Sequence, residues 1–364
     1  MTDAAASIRF VREAHGAVRD LLAANVRRYW GDFLLTILLA YAAFAIYVRA
    51  PWFSLAQAGA FVICGLAMYR AIVFTHEITH RRGAAFRVFT FAWNLLCGIP
   101  FLMPSFLYGD HKEHHTSLAY GTWSDPEYIM RTAGWRLRVF VFLLLPIVYP
   151  LFAAVRFLVL TPLAILSRGM DRVVWTRASS LYVMNESYRR EYDAAAHTTS
   201  RWVQEVGCSA WAWLVASAAI IGFVGGGAIG KAYLVFLFWI GVNQVRTLVA
   251  HRYANETDGP LSHLEQLLDT NTFPRGRWLP ELWAPLGLRY HALHHLLPML
   301  PYHAMGEAHA RLMTQLPPAS AYHRTIRAGL WPALVSILRD RERHTAYQHA
   351  GPSPMPSEDR QGSR

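Results

Sequence analysis

The hydrophobic pattern of the chain is dominated by four apolar stretches, at residues 33–48, 53–74, 206–224 and 232–250. They approach the length of about 17–25 residues that an α-helix needs to cross a bilayer. Only Arg49, Ala50, Pro51 and Trp52 lie between the first and the second stretch. We therefore predict a helical hairpin there, and a second one from the last two stretches that turns at the glycine-rich sequence GGGAIGK, ending at Lys231.

Two further apolar stretches, residues 86–107 and 137–166, are harder to interpret because prolines interrupt both. We predict interfacial or re-entrant helices for both. If residues 86–107 crossed the bilayer, His80 and His111 would lie on opposite sides of the membrane and could not share a metal site. The fold class expected is an all-α integral membrane protein with two transmembrane hairpins, about four crossings, interfacial helices and a cytosolic histidine-rich helical cap that holds a di-metal site.

Composition supports this assignment, since hydrophobic residues make up 54% of the chain and charged residues only 16%, against roughly 45–50% and 25% in soluble domains. The net charge of +11 comes from arginines beside apolar segments. The positive-inside rule explains such arginines without nucleic-acid binding. We expect an amphipathic interfacial helix at residues 1–31, a single membrane-embedded domain at 32–348, and a disordered tail at 349–364.

Three histidine clusters carry the candidate chemistry: HEITH at 76–80, HKEHH at 111–115 and HALHH at 291–295. Residues three or four apart lie on one face of a helix, so we expect the histidines of each cluster to converge on one point. Imidazole is a ligand for iron, zinc and copper. Because eight imidazoles exceed what one ion uses, the clusters predict a site for more than one metal ion.

The three clusters resemble the histidine boxes of the membrane fatty acid desaturase and hydroxylase superfamily. The resemblance extends from about residue 32 to residue 312, and includes GDHKEHHTSLAYGTWSDPEY and LRYHALHHLLPMLPYHAMGEAHARL. It implies that the metal ligands are His76, His80, His111, His114, His115, His291, His294 and His295. A ninth ligand is expected shortly after the last transmembrane helix, where His251 lies.

Residues beside these histidines are expected to hold the imidazoles in position, because carboxylates accept the second ring N–H of ligating histidines. The residues proposed for this role are Asp110, Asp125, Glu256 and Asn243, with Glu113, Glu127 and Glu77 as further carboxylates beside the boxes. Related acyl-CoA desaturases have an asparagine four residues before the ninth histidine, where this chain has Thr247. We expect Asn243 to take the role of that asparagine.

The resemblance implies two iron ions (Fe²⁺/Fe³⁺) and O₂ as co-substrate. The expected activity is that of a fatty acid (acyl-lipid) desaturase, which introduces a double bond into a lipid alkyl chain. The box spacing looks more like that of acyl-lipid or sphingolipid-type members than of acyl-CoA enzymes. Without an HPGG haem motif, the electrons are expected from an external donor of the ferredoxin or cytochrome b5 type. The expected location is the bacterial inner membrane, with the boxes on the cytoplasmic side.

Other activities fit parts of the pattern. Di-iron lipid or alkane hydroxylases and carotenoid-modifying oxygenases can use similar histidine boxes. HEITH also matches the HExxH motif of zinc metalloproteases, in which Glu77 would activate water, but that assignment leaves both HxxHH boxes unexplained. A histidine-lined transporter is disfavoured because the clusters lie at segment ends rather than in mid-membrane.

Overall fold

The computed structural model describes residues 3–130, 134–180, 184–255, 257, 259–276 and 279–339. Within these ranges the chain is helical and contains no strand, only the isolated bridge pairs His251–Thr270 and Thr272–Ile326. The predicted tail at 349–364 and the candidate Glu256 lie outside the described residues.

The α-helices are numbered in chain order. The first eight are α1 (Asp3–Ala17), α2 (Val26–Arg49), α3 (Leu55–His80), α4 (Ala84–Trp93), α5 (His111–His114), α6 (Trp135–Val155), α7 (Thr161–Leu166) and α8 (Arg168–Ala178). The others are α9 (Thr199–Ile220), α10 (Gly226–Ala250), α11 (His263–Leu268), α12 (Leu279–Trp283), α13 (His291–Leu296), α14 (Met305–Gln315) and α15 (Leu330–Arg339).

The first predicted hairpin is formed by α2 and α3, which are longer than their apolar stretches. Asn25 and Ser54 begin the two helices, because each side-chain oxygen accepts a backbone N–H of the first turn. Helix α3 continues through the first histidine cluster to His80. The expected domain boundary at residue 32 falls inside α2.

The second hairpin is formed by α9 and α10, and its turn lies earlier than predicted. Helix α10 begins at Gly226, so the turn is residues 221–225, and most of GGGAIGK forms the first turns of the helix. Glycine is tolerated at the start of a helix, where neighbouring backbone groups are solvated. Lys231 lies inside α10 and donates hydrogen bonds to the carbonyls of Tyr47, Val48 and Ala50 at the end of α2.

Within residues 86–107 the helix ends before it is long enough to span a bilayer. Helix α4 runs into a π-helical segment, Asn94–Gly98, and the apolar helix totals only 15 residues before Pro100. The Asn94 side chain bonds Ser105 across the break and holds the chain in its turn.

The stretch at 137–166 forms one continuous run from α6 through the π-helical segment Arg156–Leu160 to α7. At 32 residues it qualifies as a fifth candidate span by length and hydropathy, whereas four crossings were predicted. Tyr233 of α10 donates to the Ile147 carbonyl, and Ser209 of α9 donates to that of Phe157. The four-crossing count stays a prediction.

A buried ionic cluster joins the end of this run to α9. Arg156 makes two contacts with Glu205, of 2.6 and 2.9 Å, and Arg201 contacts Asp171 at 2.6 Å. All four side chains are at least nine-tenths buried. Because the two cations and two carboxylates compensate one another, the cluster can remain charged in an apolar environment.

Several helices of the C-terminal third pack together through an apolar cluster; the predicted cap over the histidines stays a prediction. Helices α13 and α14 share one apolar cluster with Leu267 of α11. The N-terminal helix α1, predicted as an interfacial helix, also joins this cluster through Ala14, and Asp20 just beyond it pairs with Arg311 of α14 at 2.6 Å. Helix α15 packs against α10 through Ala333 and Ile337.

Candidate metal centre

Each histidine box lies where a helix ends or where a short helix is held by its neighbours. His76 and His80 occupy the last turn of α3, the second box forms α5 and its following residue, and the third box forms α13. These positions bring the boxes together at one end of the hairpins.

His251 is the first residue after α10, where the backbone leaves the helix in an extended conformation. Its segment is fixed by backbone hydrogen bonds from Arg252 to Asp269 and from Asn271 to Ala250, at 2.7 and 2.9 Å. The Asn271 side chain also donates to the carbonyl of Val249. These hydrogen bonds hold His251 among the box histidines, and its role as a ninth ligand stays a prediction.

The nine histidines named in the sequence analysis fall into two groups, within each of which one ligand atom of every residue lies within 4.8 Å of the others. The five-histidine group contains His76, His80, His111, His115 and His294. The four-histidine group contains His114, His251, His291 and His295.

The HxxHH boxes do not converge as predicted, because each box divides between the two groups. His111 and His115 belong to one group and His114 to the other, while in the third box His294 is separated from His291 and His295. Residues four apart on a helix differ by about 40° around its axis, but adjacent residues differ by about 100°. Each box therefore links both groups, and the His115 and His295 rings of different groups are 4.4 Å apart.

The spacing of the ring nitrogens fits metal ligation. The Nε2 atom of His115 lies 3.0 Å from that of His111 and 2.9 Å from that of His294. In the other group, His291 Nε2 lies 3.0 Å from His251 Nε2. Two nitrogens bound at right angles to one ion at about 2.1 Å are roughly 3.0 Å apart. Five imidazoles also exceed the four ligands of a tetrahedral zinc site.

Several buried ring nitrogens have no hydrogen-bond partner among the described residues. They include both nitrogens of His76 and Nε2 of His80. A buried nitrogen without a partner is costly to leave unsatisfied, and a metal ion would satisfy it. The two groups are thus suited in number, spacing and donor type to hold two ions of a metal that accepts imidazole.

The electrostatics favour neutral rings with free lone pairs. Burial, reinforced by neighbouring imidazoles, lowers the pKa of six histidines: His111, His115, His251, His291, His294 and His295. His114 is the exception: burial acts most strongly, to lower its pKa, but the Asp125, Glu127 and Asp269 carboxylates together raise it above its usual value. A neutral imidazole is the form that binds a metal.

Two carboxylates fix the orientation of second-box histidines. Asp125 contacts His114 Nδ1 at 2.8 and 2.9 Å, and Glu127 contacts His111 Nδ1 at 2.8 Å. Burial raises the pKa of Glu127 to about 7. An ionised carboxylate only accepts, so opposite Asp125, and opposite the ionised form of Glu127, the histidine carries its proton on Nδ1 and presents Nε2 to its group.

A further pair, Tyr120 and Asp269, was not identified from the sequence. The Tyr120 hydroxyl lies 2.9 Å from His251 Nδ1 and donates to Asp269 at 2.9 Å. All three side chains are almost completely buried. Asp269 is 149 positions from Tyr120 along the chain, so no local motif could reveal the pair.

Two other residues predicted to support the imidazoles bond arginines, and their supporting role stays a prediction. Asp110 pairs with Arg190 at 2.8 Å, and Asn243 accepts a hydrogen bond from Arg246 at 2.9 Å. Thr247 is buried in α10, and its hydroxyl has no partner among the described residues.

Glu77 belongs to a network on another face of α3. Tyr29 donates a short hydrogen bond to it, Arg81 pairs with it at 3.2 Å, and the Tyr302 backbone N–H donates to it at 3.4 Å. Arg81 also donates to the Met299 carbonyl. The network fastens the first box to the segment after the third box, and Glu77 is not free to face a metal-bound water.

An open, mostly apolar cavity of about 100 Å³ lies beside the centre. It is bounded by α3, α6, α10 and the segment before the second box. Thr75, the residue before His76, forms part of its wall, with Phe101, Phe236 and Ile240 among the apolar lining. An apolar cavity of this kind is suited to an apolar ligand.

Comparison with known proteins places these features in a family. Residues 50–327 match the fatty acid desaturase family. A ceramide hydroxylase of Caulobacter vibrioides (strain NA1000 / CB15N) is 36% identical over 340 residues, covering 93% of this chain and 96% of that protein. With three histidine boxes in its matched region, the chain belongs to the fatty acid desaturase family, within the membrane desaturase and hydroxylase superfamily.

Proposed function

We propose that this protein is an O₂-dependent di-iron membrane enzyme that hydroxylates the alkyl chain of a ceramide-like lipid. The observation that carries the proposal is the pairing of two histidine groups beside an apolar cavity. The similarity to a ceramide hydroxylase over nearly the full length of both chains supports the lipid class and the hydroxylation.

Within this proposal, the bound iron pair supplies the activation of O₂ and the removal of hydrogen from an unactivated carbon. The protein holds the alkyl chain in the cavity, excludes water and keeps the imidazoles in one orientation. Asp125 and Glu127 hold the Nδ1 protons of His114 and His111. The nine proposed ligands are those of the two histidine groups.

Desaturation of an acyl lipid is the second candidate function, supported by the family match. It requires the same centre and the same placement of the chain. The two activities differ in whether an oxygen atom is added to the first carbon or a second hydrogen is removed from its neighbour.

The geometry argues against the zinc protease alternative. A protease of the HExxH type needs its glutamate beside the metal-bound water. Glu77 is instead bonded to Tyr29 and Arg81, and the five-histidine group uses His76 and His80 with three further imidazoles.

We further propose that the histidine end faces the cytoplasm and receives electrons from a separate ferredoxin or cytochrome. Exposed cations lie at this end, among them Arg82 beside the first box and Lys112 within the second. Such a charge distribution follows the positive-inside rule.

Lipid profiling of a heterologous host that makes ceramides, co-expressing an electron-donor system, tests the activity. We expect ceramides with one added oxygen in cells with the wild-type protein, and none with H114A or H294A. The matched control H323A alters a histidine outside both groups and should retain the product. Ceramides lacking two hydrogens would favour desaturation, and unchanged lipids in all strains would refute the proposed activity on this substrate.

A further inference from the structure

The two histidine groups differ in how their ligands are supported. In the four-histidine group, two of four residues connect to buried carboxylates: His114 directly to Asp125, and His251 through Tyr120 to Asp269. In the five-histidine group, His111 alone contacts a carboxylate in the described part of the chain. The four-histidine group is therefore the more firmly oriented of the two.

The direction of the hydrogen bonds around Tyr120 follows from the chemistry of the groups. A carboxylate only accepts, so the single hydroxyl proton of Tyr120 is donated to Asp269. The hydroxyl oxygen can then only accept from His251, which places the imidazole proton on Nδ1. His251 Nε2 is left with its lone pair directed toward His291 Nε2, 3.0 Å away.

Asp269 is itself held firmly. Its second carboxylate oxygen accepts the Ala254 backbone N–H at 2.7 Å, and its backbone carbonyl accepts from Arg252 at 2.7 Å. Asp269 therefore fixes the backbone after α10 through its carbonyl, and its side chain is held in place to accept the Tyr120 hydrogen bond.

From this geometry we propose that Tyr120 and Asp269 are positioning residues, which set the tautomer of His251 and thereby the affinity of the four-histidine group for its metal. This inference rests on the proposed metal-binding role of the two groups. Neither residue touches a metal or the substrate; both act through His251.

Two substitutions change the hydrogen bonds around His251 in different ways. Tyr120→Phe removes the acceptor for the Nδ1 proton. Asp269→Asn introduces an amide that can donate to the Tyr120 oxygen, which frees the hydroxyl to donate to Nδ1 and moves the imidazole proton to Nε2. Both changes should weaken the same metal site, by about 10- to 100-fold in affinity.

Titration of the metal-free, full-length protein in detergent with Co²⁺ tests this without requiring catalysis. Tyr253→Phe is the matched control, because Tyr253 is a buried neighbour of His251 whose hydroxyl contacts the Thr247 carbonyl instead of an imidazole. The expected result is one weakened and one unchanged site in Y120F and D269N, with two unchanged sites in Y253F. Repeating Y120F in an H294A background, which leaves the four-histidine group complete, assigns the weakened site.

The unchanged five-histidine site serves as an internal check that each variant is folded. Wild-type affinity at both sites in Y120F and D269N would overturn the positioning role, as would equal weakening in Y253F. Failure of the wild-type protein to bind two Co²⁺ ions would instead refute the underlying metal centre, and loss of lipid oxidation alone would leave the Co²⁺ result intact.

Discussion

At the residue scale, the carboxylate beside His114 is the most direct test of how the imidazoles are held. Asp125 makes both of its ring contacts within 2.9 Å and is fully buried. We predict that Asp125→Asn lowers metal affinity by about 10- to 100-fold, measured as iron retained during dialysis against a chelator. Glu113→Gln is the control, because Glu113 lies in the same box but bonds Tyr188. Equal iron retention in D125N and wild type would contradict this account.

The Glu77 network makes a second residue-scale prediction. Glu77→Gln leaves the buried Arg81 guanidinium without its carboxylate, which we expect to destabilise the fold by on the order of 3 kcal/mol. A lower thermal midpoint with wild-type iron content is the predicted outcome. The double variant E77Q/R81M should recover part of the loss, because it removes the unpaired charge. A folded E77Q protein that had lost its metal would point back to a direct role of Glu77 at the metal centre.

The sequence predicted the histidines of the boxes, but often not the side chains that contact them. The boxes stand out because histidines recur three and four positions apart after apolar stretches, whereas His251 was expected only from the resemblance to the family. Asp110 and Asp125 both lie beside the second box, yet only Asp125 faces an imidazole, while Asp110 turns toward Arg190. That choice depends on residues brought in by α8 and the segment after it, which local spacing does not encode.

At the scale of elements, the hairpins followed from hydropathy, whereas their turns and ends depended on tertiary contacts. The glycines of GGGAIGK fit a turn as well as a helix start; in the structure most of them begin α10, and Lys231 within this helix bonds the end of α2. The stretch 137–166 is long enough to cross a membrane, but it contains prolines that are typical of a bent helix. Hydropathy alone does not distinguish these arrangements.

Lys231 should fasten the two hairpins together at the end far from the histidines. Lys231→Met leaves three carbonyls without their donor, and we expect a loss of about 2 kcal/mol or more. Thermal unfolding should show the loss while iron content stays at the wild-type level. Arg49→Met is the control, since the exposed Arg49 has among the described residues one long hydrogen bond, to a carbonyl of its own helix. Equal stability of K231M and R49M would exclude a fastening role.

At the scale of the whole molecule, the proposed topology places α7 on the same side as the histidine boxes. All three native cysteines are buried, so the wild-type protein is a low-background host for single introduced cysteines. We predict that a membrane-impermeant thiol reagent labels F53C in intact cells, because Phe53 is exposed in the turn between α2 and α3. L118C and L166C, also at exposed positions, should be labelled only after the cells are permeabilised. Labelling of L166C together with F53C would show instead that residues 135–166 cross the membrane.

The central claim is that two histidine groups hold a pair of iron ions, and metal analysis of the purified protein tests it most directly. We predict about two irons per chain from iron-replete cells, and a lower iron content in both H114A and H294A, since each variant removes one ligand from a different group. H323A should retain the wild-type content. A single zinc per chain, with no iron and no dependence on His114 or His294, would contradict the account.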